Sequence, residues 1–258
     1  MNNQQLLNKL EKLEHPATIY FRSIEIGILL KHFGKIFKHT KGTIVDLGCG
    51  EGIITSVIFP NNCVIGIDND PDMAAKAEKS GHFKEVIVAS ATSLPFPDNS
   101  VDLLFSNSVL EHISDLNAVL LEIRRILKRH TGRLIFTVPT PLLTEDSLFS
   151  LFGRNRFSKI YGTWRDRKFQ HYNLLSESRW RNTLEKTGMK IVESRPYLSS
   201  GDVQIWDLML QIFSLFRVNF SLSKFFYIKL FRQMLINRLA NQTNILKGAG
   251  LVMLVKID

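Results

Sequence analysis

What most constrains this chain is a rhythm. After Gly42, short apolar runs alternate with helical segments: TIVDL (43–47), CVIGI (63–67), EVIVA (85–89), VDLLFS (101–106) and RLIFTV (133–138). Runs this short, rich in valine and isoleucine and bounded by turn residues, read as buried parallel strands. The helices between them have proper ends. Asp70 is placed to cap one, with Pro71 at its first position and Gly81 just past its end. Ser114 is placed to cap the next, whose Leu116, Val119, Leu120, Ile123 and Leu127 share a face, with Arg124, Arg125, Lys128 and Arg129 toward its C-terminus. Strand–helix alternation of this kind predicts an α/β protein with a doubly wound sheet. MKIVESRP (189–196) and GLVMLVKI (250–257) read as its sixth and seventh strands, and residues 3–13 and 17–37 as helices ahead of it.

The stretch VDLGCGEG (45–52) joins the first strand to the next helix. In a doubly wound sheet, ligands bind beyond the carboxyl ends of the strands. Gly48, Gly50 and Gly52 let the backbone turn sharply there and approach a ligand with no Cβ in the way. The spacing is G-x-G-x-G, with Ile53 where the third glycine of a dinucleotide fingerprint would fall. No Gly-Lys-Ser/Thr follows, which excludes a P-loop. Asp68 ends the second strand, 18 residues beyond Gly50, where a carboxylate can accept both hydroxyls of a ribose. A glycine loop plus a terminal acid points to a nucleoside-containing ligand.

Taken together, VDLGCGEG, GIDNDPDM, ATSLPFPDNSVDLLFSNSVLEHI and RRILKRHTGRLIFTVP resemble class I S-adenosylmethionine-dependent methyltransferases. The likeness is to the broad group related to the quinone-biosynthesis enzymes (methyltransferase type 11-like). It runs from about residue 43 to 139, with a looser echo at 171–194. The resemblance implies a Rossmann-like, mostly parallel seven-stranded sheet whose last two strands often form an antiparallel pair. It implies S-adenosyl-L-methionine as the cofactor. Asp46 would support the glycine loop and the methionine ammonium, and Gly48, Cys49 and Gly50 would lie along the methionine and ribose. Asp68 would bind the ribose hydroxyls, with Asn69 beside the adenine, Ala91 and Thr92 bordering it, and Asn107 beneath the methionine portion. The family usually has an aspartate just before that alanine. Here Ser90 stands there, and its hydroxyl accepts a hydrogen bond without charge assistance.

Methyl transfer from a sulfonium is an in-line displacement, so the protein mainly aligns nucleophile, methyl and sulfur in a dry pocket. A hydroxyl acceptor would need a base, for which the candidates are His112, Glu111 and His171. Glu111 and Tyr172 are candidates for the acceptor pocket. Equally, Glu111 and His112 can begin the solvent-facing side of a helix, and His171 can brace the entry to a helix capped by Ser176. Cys49 reads as a small packing residue. With two cysteines, Cys49 and Cys63, the chain shows no disulfide framework and no metal-ligand spacing, so no metal is expected and a reducing cytosol is the default.

This reading divides the chain into a helical cap (1–40), a cofactor-binding core (41–200), a basic apolar insert (201–247) and a last strand (248–258). Within the core, residues 140–170 interleave Phe149, Phe152, Phe157, Tyr161 and Trp164 with Arg154, Arg156, Lys159, Arg165, Arg167 and Lys168. Such a segment suits RNA, a lid over an anionic or apolar small molecule, or a solvated surface. The formal net charge is +9, and from 208 to 257 there are seven Lys or Arg and no Asp or Glu. The apolar stretch 203–240 reads as a helical lid, a subunit contact or an interfacial helix on anionic lipid at the inner face of a membrane. Its longest charge-free run, Leu208 to Phe216, is far too short to span a bilayer. The N-terminal MNNQQLLNKLEKLEH is polar and does not read as a signal peptide, so the cytoplasm is the expected compartment.

The expected activity is methyl transfer to a small-molecule or lipid-like acceptor. An RNA or protein methyltransferase is the alternative within the class, although Ser106-Asn107-Ser108-Val109 stands where amino-group nucleic-acid enzymes carry an NPPY-like tetrad. A non-catalytic scaffold at a membrane or in a complex is the alternative outside it.

Overall fold

The computed structural model describes residues 1–13, 15–60, 64–215, 231–241 and 245–257. It divides into two compact units. The first, the sheet unit, comprises His32–Thr140, Gln170–Arg195 and Leu251–Asp258, and the second, the helical unit, Met1–Lys31, Pro141–Phe169 and Pro196–Gly250. The sequence reading kept 140–170 within the core. In the structure most of that segment instead belongs with the N-terminal helices and the later insert.

The sheet has seven strands: β1 (Ile44–Leu47), β2 (Val64–Asp68), β3 (Phe83–Val88), β4 (Leu103–Asn107), β5 (Arg133–Pro139), β6 (Met189–Tyr197) and β7 (Gly250–Ile257). Their spatial order is β3-β2-β1-β4-β5-β7-β6. The sheet is mostly parallel, with one antiparallel pair. β1 lies between two parallel neighbours, with Asp46 opposite Gly66 of β2 and opposite Phe105 of β4. The chain leaves β1 in one direction for β2 and β3, then returns to the other side of β1 for β4 and β5. That reversal makes the β1–β4 seam a topological switch point.

Burial follows position in the sheet. β1 is buried at all four residues and β4 at its first four. β3 is an edge strand with one neighbour, and Val88 is 53% exposed. The expectation of a buried EVIVA strand therefore gives way to a half-exposed strand that starts at Phe83.

Four helices of the sheet unit need naming: α3 (Ile53–Ile58), α4 (Pro71–Lys79), α5 (Leu116–Ile126) and α8 (Glu177–Lys186). Asp70 caps α4, its side chain accepting from Asp72 N and Met73 N at 2.8 and 3.3 Å. α5 is capped by Asp115, whose Oδ1 accepts from Ala118 N at 3.0 Å, rather than by the neighbouring Ser114. A carboxylate there adds charge to the same geometric role. Val119, Leu120 and Ile123 of α5 and Trp180 and Leu184 of α8 join Leu104 and Phe136 in one buried core. A second buried cluster joins α2 (Pro16–His39) to the sheet: Phe37, Phe59 and Phe105 meet edge to face with centroids 5.2–5.7 Å apart.

The helical unit contains α1 (Asn3–Leu10), most of α2, α6 (Pro141–Glu145), α7 (Arg156–Lys168), α9 (Ser200–Leu215) and α10 (Arg232–Ala240). It is pinned by buried acids. Asp202 on α9 accepts from Tyr20 at 3.0 Å and from both arms of Arg238 at 2.7–2.8 Å. Asp207, one turn further on, accepts from Tyr161 at 2.7 Å and from Leu148 N at 2.8 Å, and pairs with the buried Arg165 at 3.0 Å. Glu25 accepts from Tyr197 at 2.6 Å. Val203, Trp206 and Met209 of α9 are buried. The described start of the 203–240 segment is thus a packed helix. Residues 216–230 of that segment, and Cys63, lie outside the described residues.

The aromatic triad generates a stability prediction. Phe105→Ala should cost about 3–5 kcal/mol. Adding Phe59→Ala should cost less than the two single losses summed, because the rings share contacts. Urea denaturation of the four proteins checks both; full additivity would show that the rings do not act together.

Candidate active site

The loop after β1 is tied to the end of β2. The amides of Gly48 and Cys49 both donate to the Ile67 carbonyl, at 2.7 and 3.0 Å. Two of its glycines serve different ends. At Gly48 φ is +74°, and a Cβ would lie 2.3 Å from Val109 Cγ2, so packing itself forbids a side chain. At Gly50 φ is +53° and a Cβ would meet nothing within 4 Å, so this backbone faces open space. The Gly50 amide donates to Asp68 Oδ2 at 2.8 Å, while Asp68 Oδ1 accepts from Asp70 N at 3.0 Å. Two backbone donors thereby fix the orientation of the carboxylate that ends β2.

Beneath this loop lies Asp46, 3% exposed. Burial pushes its carboxyl up to about 7. The Thr55 hydroxyl of α3, which donates to Asp46 Oδ2, opposes that rise, and the nearby charge of Asp68 adds to it. Burial and the same two carboxylates push the Cys49 thiol well above its ordinary range. A thiol held neutral in this way is a packing group and not a nucleophile.

The next two strand ends carry the remaining candidates. After β3, Ser90 Oγ lies 2.8 Å from Thr92 Oγ1 and accepts from Thr92 N at 3.2 Å, so its hydroxyl is engaged in its own turn. Ser90, Thr92 and Asn69 are exposed, and Ala91 is half-buried. At the end of β4, Asn107 Nδ2 donates to Thr137 Oγ1 at 2.6 Å, and Ser108 N donates to the same oxygen at 3.0 Å. Ser108 holds a φ of +53°, the left-handed region that non-glycine residues seldom adopt. The glycine loop, Asp68, Ser90 and Asn107 thus stand at the carboxyl ends of four adjacent strands.

A second cluster follows β4. The short 3₁₀ turn Leu110–His112 carries Glu111 and His112, and the segment 170–173 is stitched onto it. Tyr172 N and Asn173 N donate to the Glu111 carbonyl at 2.7 and 3.0 Å. Asn173 Nδ2 donates to the carbonyls of Leu110 and Ile113 at 3.0 and 2.6 Å. The stitching brings the His171 ring to 5.1 Å from that of His112. Glu111 is buried, whereas the Tyr172 side chain is 63% exposed.

Sequence reasoning missed Thr55, Thr137 and Asn173. A threonine facing a buried aspartate one helix away leaves no spacing signal. Asn173 had one, as the third residue of HYN beside a histidine already singled out.

Residues 45–136 match the family model described as a methyltransferase domain. Over this stretch, about a third of the chain, the protein is similar to methyltransferases that use S-adenosylmethionine. An uncharacterized methyltransferase of Schizosaccharomyces pombe is 33% identical over 109 residues, covering 36% of this chain and 39% of that protein. The malonyl-[acyl-carrier protein] O-methyltransferase of Hamiltonella defensa is 32% identical over 115 residues, covering 44% and 43%. The match therefore spans about two fifths of the length of these relatives. A geranyl diphosphate methyltransferase solved in complex with the cofactor superposes with a TM-score of 0.59 over 94% of this chain and 90% of that one, at 12% identity. Identity that low speaks for the fold alone.

Asp46 generates a pH prediction for the domain. Its folded-state value, about 7, lies above the ordinary carboxylate value of 3.8. The folded state therefore binds the extra proton, and stability falls as pH rises from about 4 to about 7, by at most about 1.4 kcal/mol per unit. Asp46→Asn should flatten the slope in that window. Urea midpoints of both proteins at pH 5, 6, 7 and 8 check it; parallel profiles would refute it.

Proposed function

We propose that the chain is an S-adenosylmethionine-dependent methyltransferase acting on a small-molecule or lipid-like acceptor. The observation that carries this is the Gly50–Asp68 pairing. A left-handed, side-chain-free turn lies against a carboxylate that two amides orient at the end of β2. That is a cradle for a nucleoside with paired hydroxyls.

In this reading Asp68 holds the ribose hydroxyls and Asn69 lies beside the adenine. The backbone of Gly48, Cys49 and Gly50 follows the methionine portion. Asp46, whose burial favours the neutral carboxyl, would ionise beside an ammonium group above it, and Asn107, held by Thr137, borders the same end. Ala91 and Thr92 border the adenine. Ser90, committed to its own turn, offers the adenine less than a free carboxylate would. The cofactor supplies a methyl group already activated on a sulfonium. The protein's share is alignment and exclusion of water. In this reading His112 or His171 takes a proton from an acceptor, with Glu111 and Tyr172 at the same end of the site.

The acceptor class draws on two supports. The relative from Hamiltonella defensa named above acts, by its name, on malonyl-[acyl-carrier protein]. The second support is the outer face of α7. Phe157, Ile160 and Trp164, spaced three and four apart, are 54–68% exposed, and Phe152 just before the helix is 81% exposed. Arg156, Lys159, Arg167 and Lys168 are exposed among them, and Lys168 Nζ sits 5.5 Å over the Trp164 ring. An apolar stripe flanked by cations suits the surface of an anionic bilayer and a lipid-like acceptor. Among the described residues, this face is on the 140–170 segment and not on α9, whose Val203, Trp206 and Met209 are buried. No helix among the described residues is long and apolar enough to cross a membrane.

Calorimetric titration tests the cofactor assignment. S-adenosylmethionine and S-adenosylhomocysteine should bind with micromolar affinity, on the order of −8 kcal/mol. Asp68→Ala should lose about 2–3 kcal/mol, as expected for charge-assisted hydrogen bonds to ribose. Unchanged affinity in the variant would place the ribose elsewhere.

Flotation with vesicles containing anionic lipid tests the acceptor support. Wild type should float, and Phe157→Ser with Trp164→Ser should not, while cofactor affinity stays the same. If wild type stays at the bottom and instead shifts a labelled RNA in a salt-sensitive way, the α7 face belongs to nucleic acid.

A further inference from the structure

The cluster after β4 has a chemistry beyond that of a general base. We infer that Glu111, His112 and His171 form a binding site for one divalent first-row transition-metal ion, zinc foremost, with a coordination position left for an oxygen of the acceptor. Each residue offers one ligand atom, and these atoms lie within 4.8 Å of one another. The use of the ion in methyl transfer rests on the methyltransferase reading; the ion site itself does not.

Three observations carry the inference. The first is the tautomer of His112. Its Nδ1 lies 3.2 Å from the Gln170 carbonyl, which can only accept, so Nδ1 carries the proton. In the neutral ring Nε2 then keeps its lone pair and points it away from that anchor. Metal-binding histidines are held in this manner, donating the second ring N–H to a carbonyl or carboxylate. Gln170 itself holds a φ of +55°, a costly conformation for a non-glycine residue, and that conformation is part of what aims its carbonyl.

The second is a distance. His112 Nε2 and Glu111 Oε1 are 3.8 Å apart. That is too long for a hydrogen bond. It is close to the separation, roughly 3.3–3.6 Å, of two ligands bound at about 2.0–2.2 Å to one tetrahedral ion. The small closure still needed falls to rotation of the His112 ring, whose side chain is 41% exposed, rather than to the Glu111 side chain, 2% exposed.

The third is the construction around the cluster. Four hydrogen bonds, from Tyr172 N, Asn173 N and Asn173 Nδ2, clamp the 170–173 segment to the 3₁₀ turn. This holds His171 beside a residue pair 59 positions earlier in the chain. Preorganisation of ligands from two segments is what a metal site needs and what a surface ion pair does not.

The ligand set decides the class of ion. Two imidazoles and one carboxylate suit zinc, iron(II) and their neighbours, and leave coordination positions open. Magnesium and calcium prefer sites built wholly of oxygen ligands. An acceptor would fill the open position through a hydroxyl, carboxylate or phosphate oxygen, which the ion would polarise.

The test uses the full chain, free of affinity tags, stripped with a chelator and exchanged into metal-free buffer. Titration with cobalt(II), followed by visible absorption, should show one equivalent bound with the spectrum of a four- or five-coordinate site. Zinc should displace it, and magnesium should not. His112→Ala and His171→Ala should each weaken binding at least about tenfold, while circular dichroism shows that both remain folded. Glu111→Gln, which keeps the shape and removes the charge, should weaken binding as well. Asp68→Ala, at the cofactor end, should lose S-adenosylmethionine and keep the metal, which separates failure of this inference from failure of the methyltransferase reading. No binding at about 100 μM cobalt or zinc, or binding that survives both histidine substitutions, would overturn the site.

Discussion

The central placement of β1 is the constraint on which the rest of this molecule depends. It pairs in parallel with β2 on one side and β4 on the other. Parallel pairing sends all three carboxyl ends to the same edge, so the loops that follow them emerge side by side. The backbone amides after β1 can then bond to the end of β2, and Gly48 can press against Val109 beyond β4. A bulkier residue at Gly48 would have to push β4's exit loop away from the seam. The glycine is therefore as much a packing requirement between strand exits as a concession to a ligand.

That arrangement concentrates negative charge at one edge. Asp46 is buried below the loop and Asp68 stands at its side, and the charge of Asp68 adds to the burial that favours the neutral Asp46 carboxyl. A site that keeps two carboxylates close together, one with its charge suppressed by burial, is prepared for a cationic partner beside which Asp46 would ionise. A sulfonium cofactor with an ammonium group is such a partner.

The helical unit solves a different problem. Three of its acids are buried where its helices meet. Glu25, Asp202 and Asp207 each collect tyrosine or arginine donors from elements far apart in sequence. Buried charge of this kind is costly unless fully paired, and it penalises alternative packings that would leave a carboxylate alone. It gives otherwise greasy helices one arrangement, while the apolar excess is displayed on the outer face of α7.

Much of this was legible from one sequence. Strand runs of four to six residues, the Asp70 and Ser176 caps, the glycine spacing and the acid 18 residues later are local patterns, and local patterns are set by backbone sterics and hydrogen bonding within a few residues. They sufficed for the sheet and the helix order. Three matters were decided only by tertiary structure. β3 became half-exposed because sheet order, not composition, makes an edge strand. The 203–240 segment read as one apolar element; at its described start α9 buries Val203, Trp206 and Met209, and among the described residues an exposed apolar stripe lies on α7, where the sequence showed interleaved aromatics and cations. Glu111 and His112 met His171 because Asn173 ties their two turns together. Spacing along the chain carries no record of such a meeting: it is made by hydrogen bonds between loops, whose energy depends on the sheet having already brought them within reach.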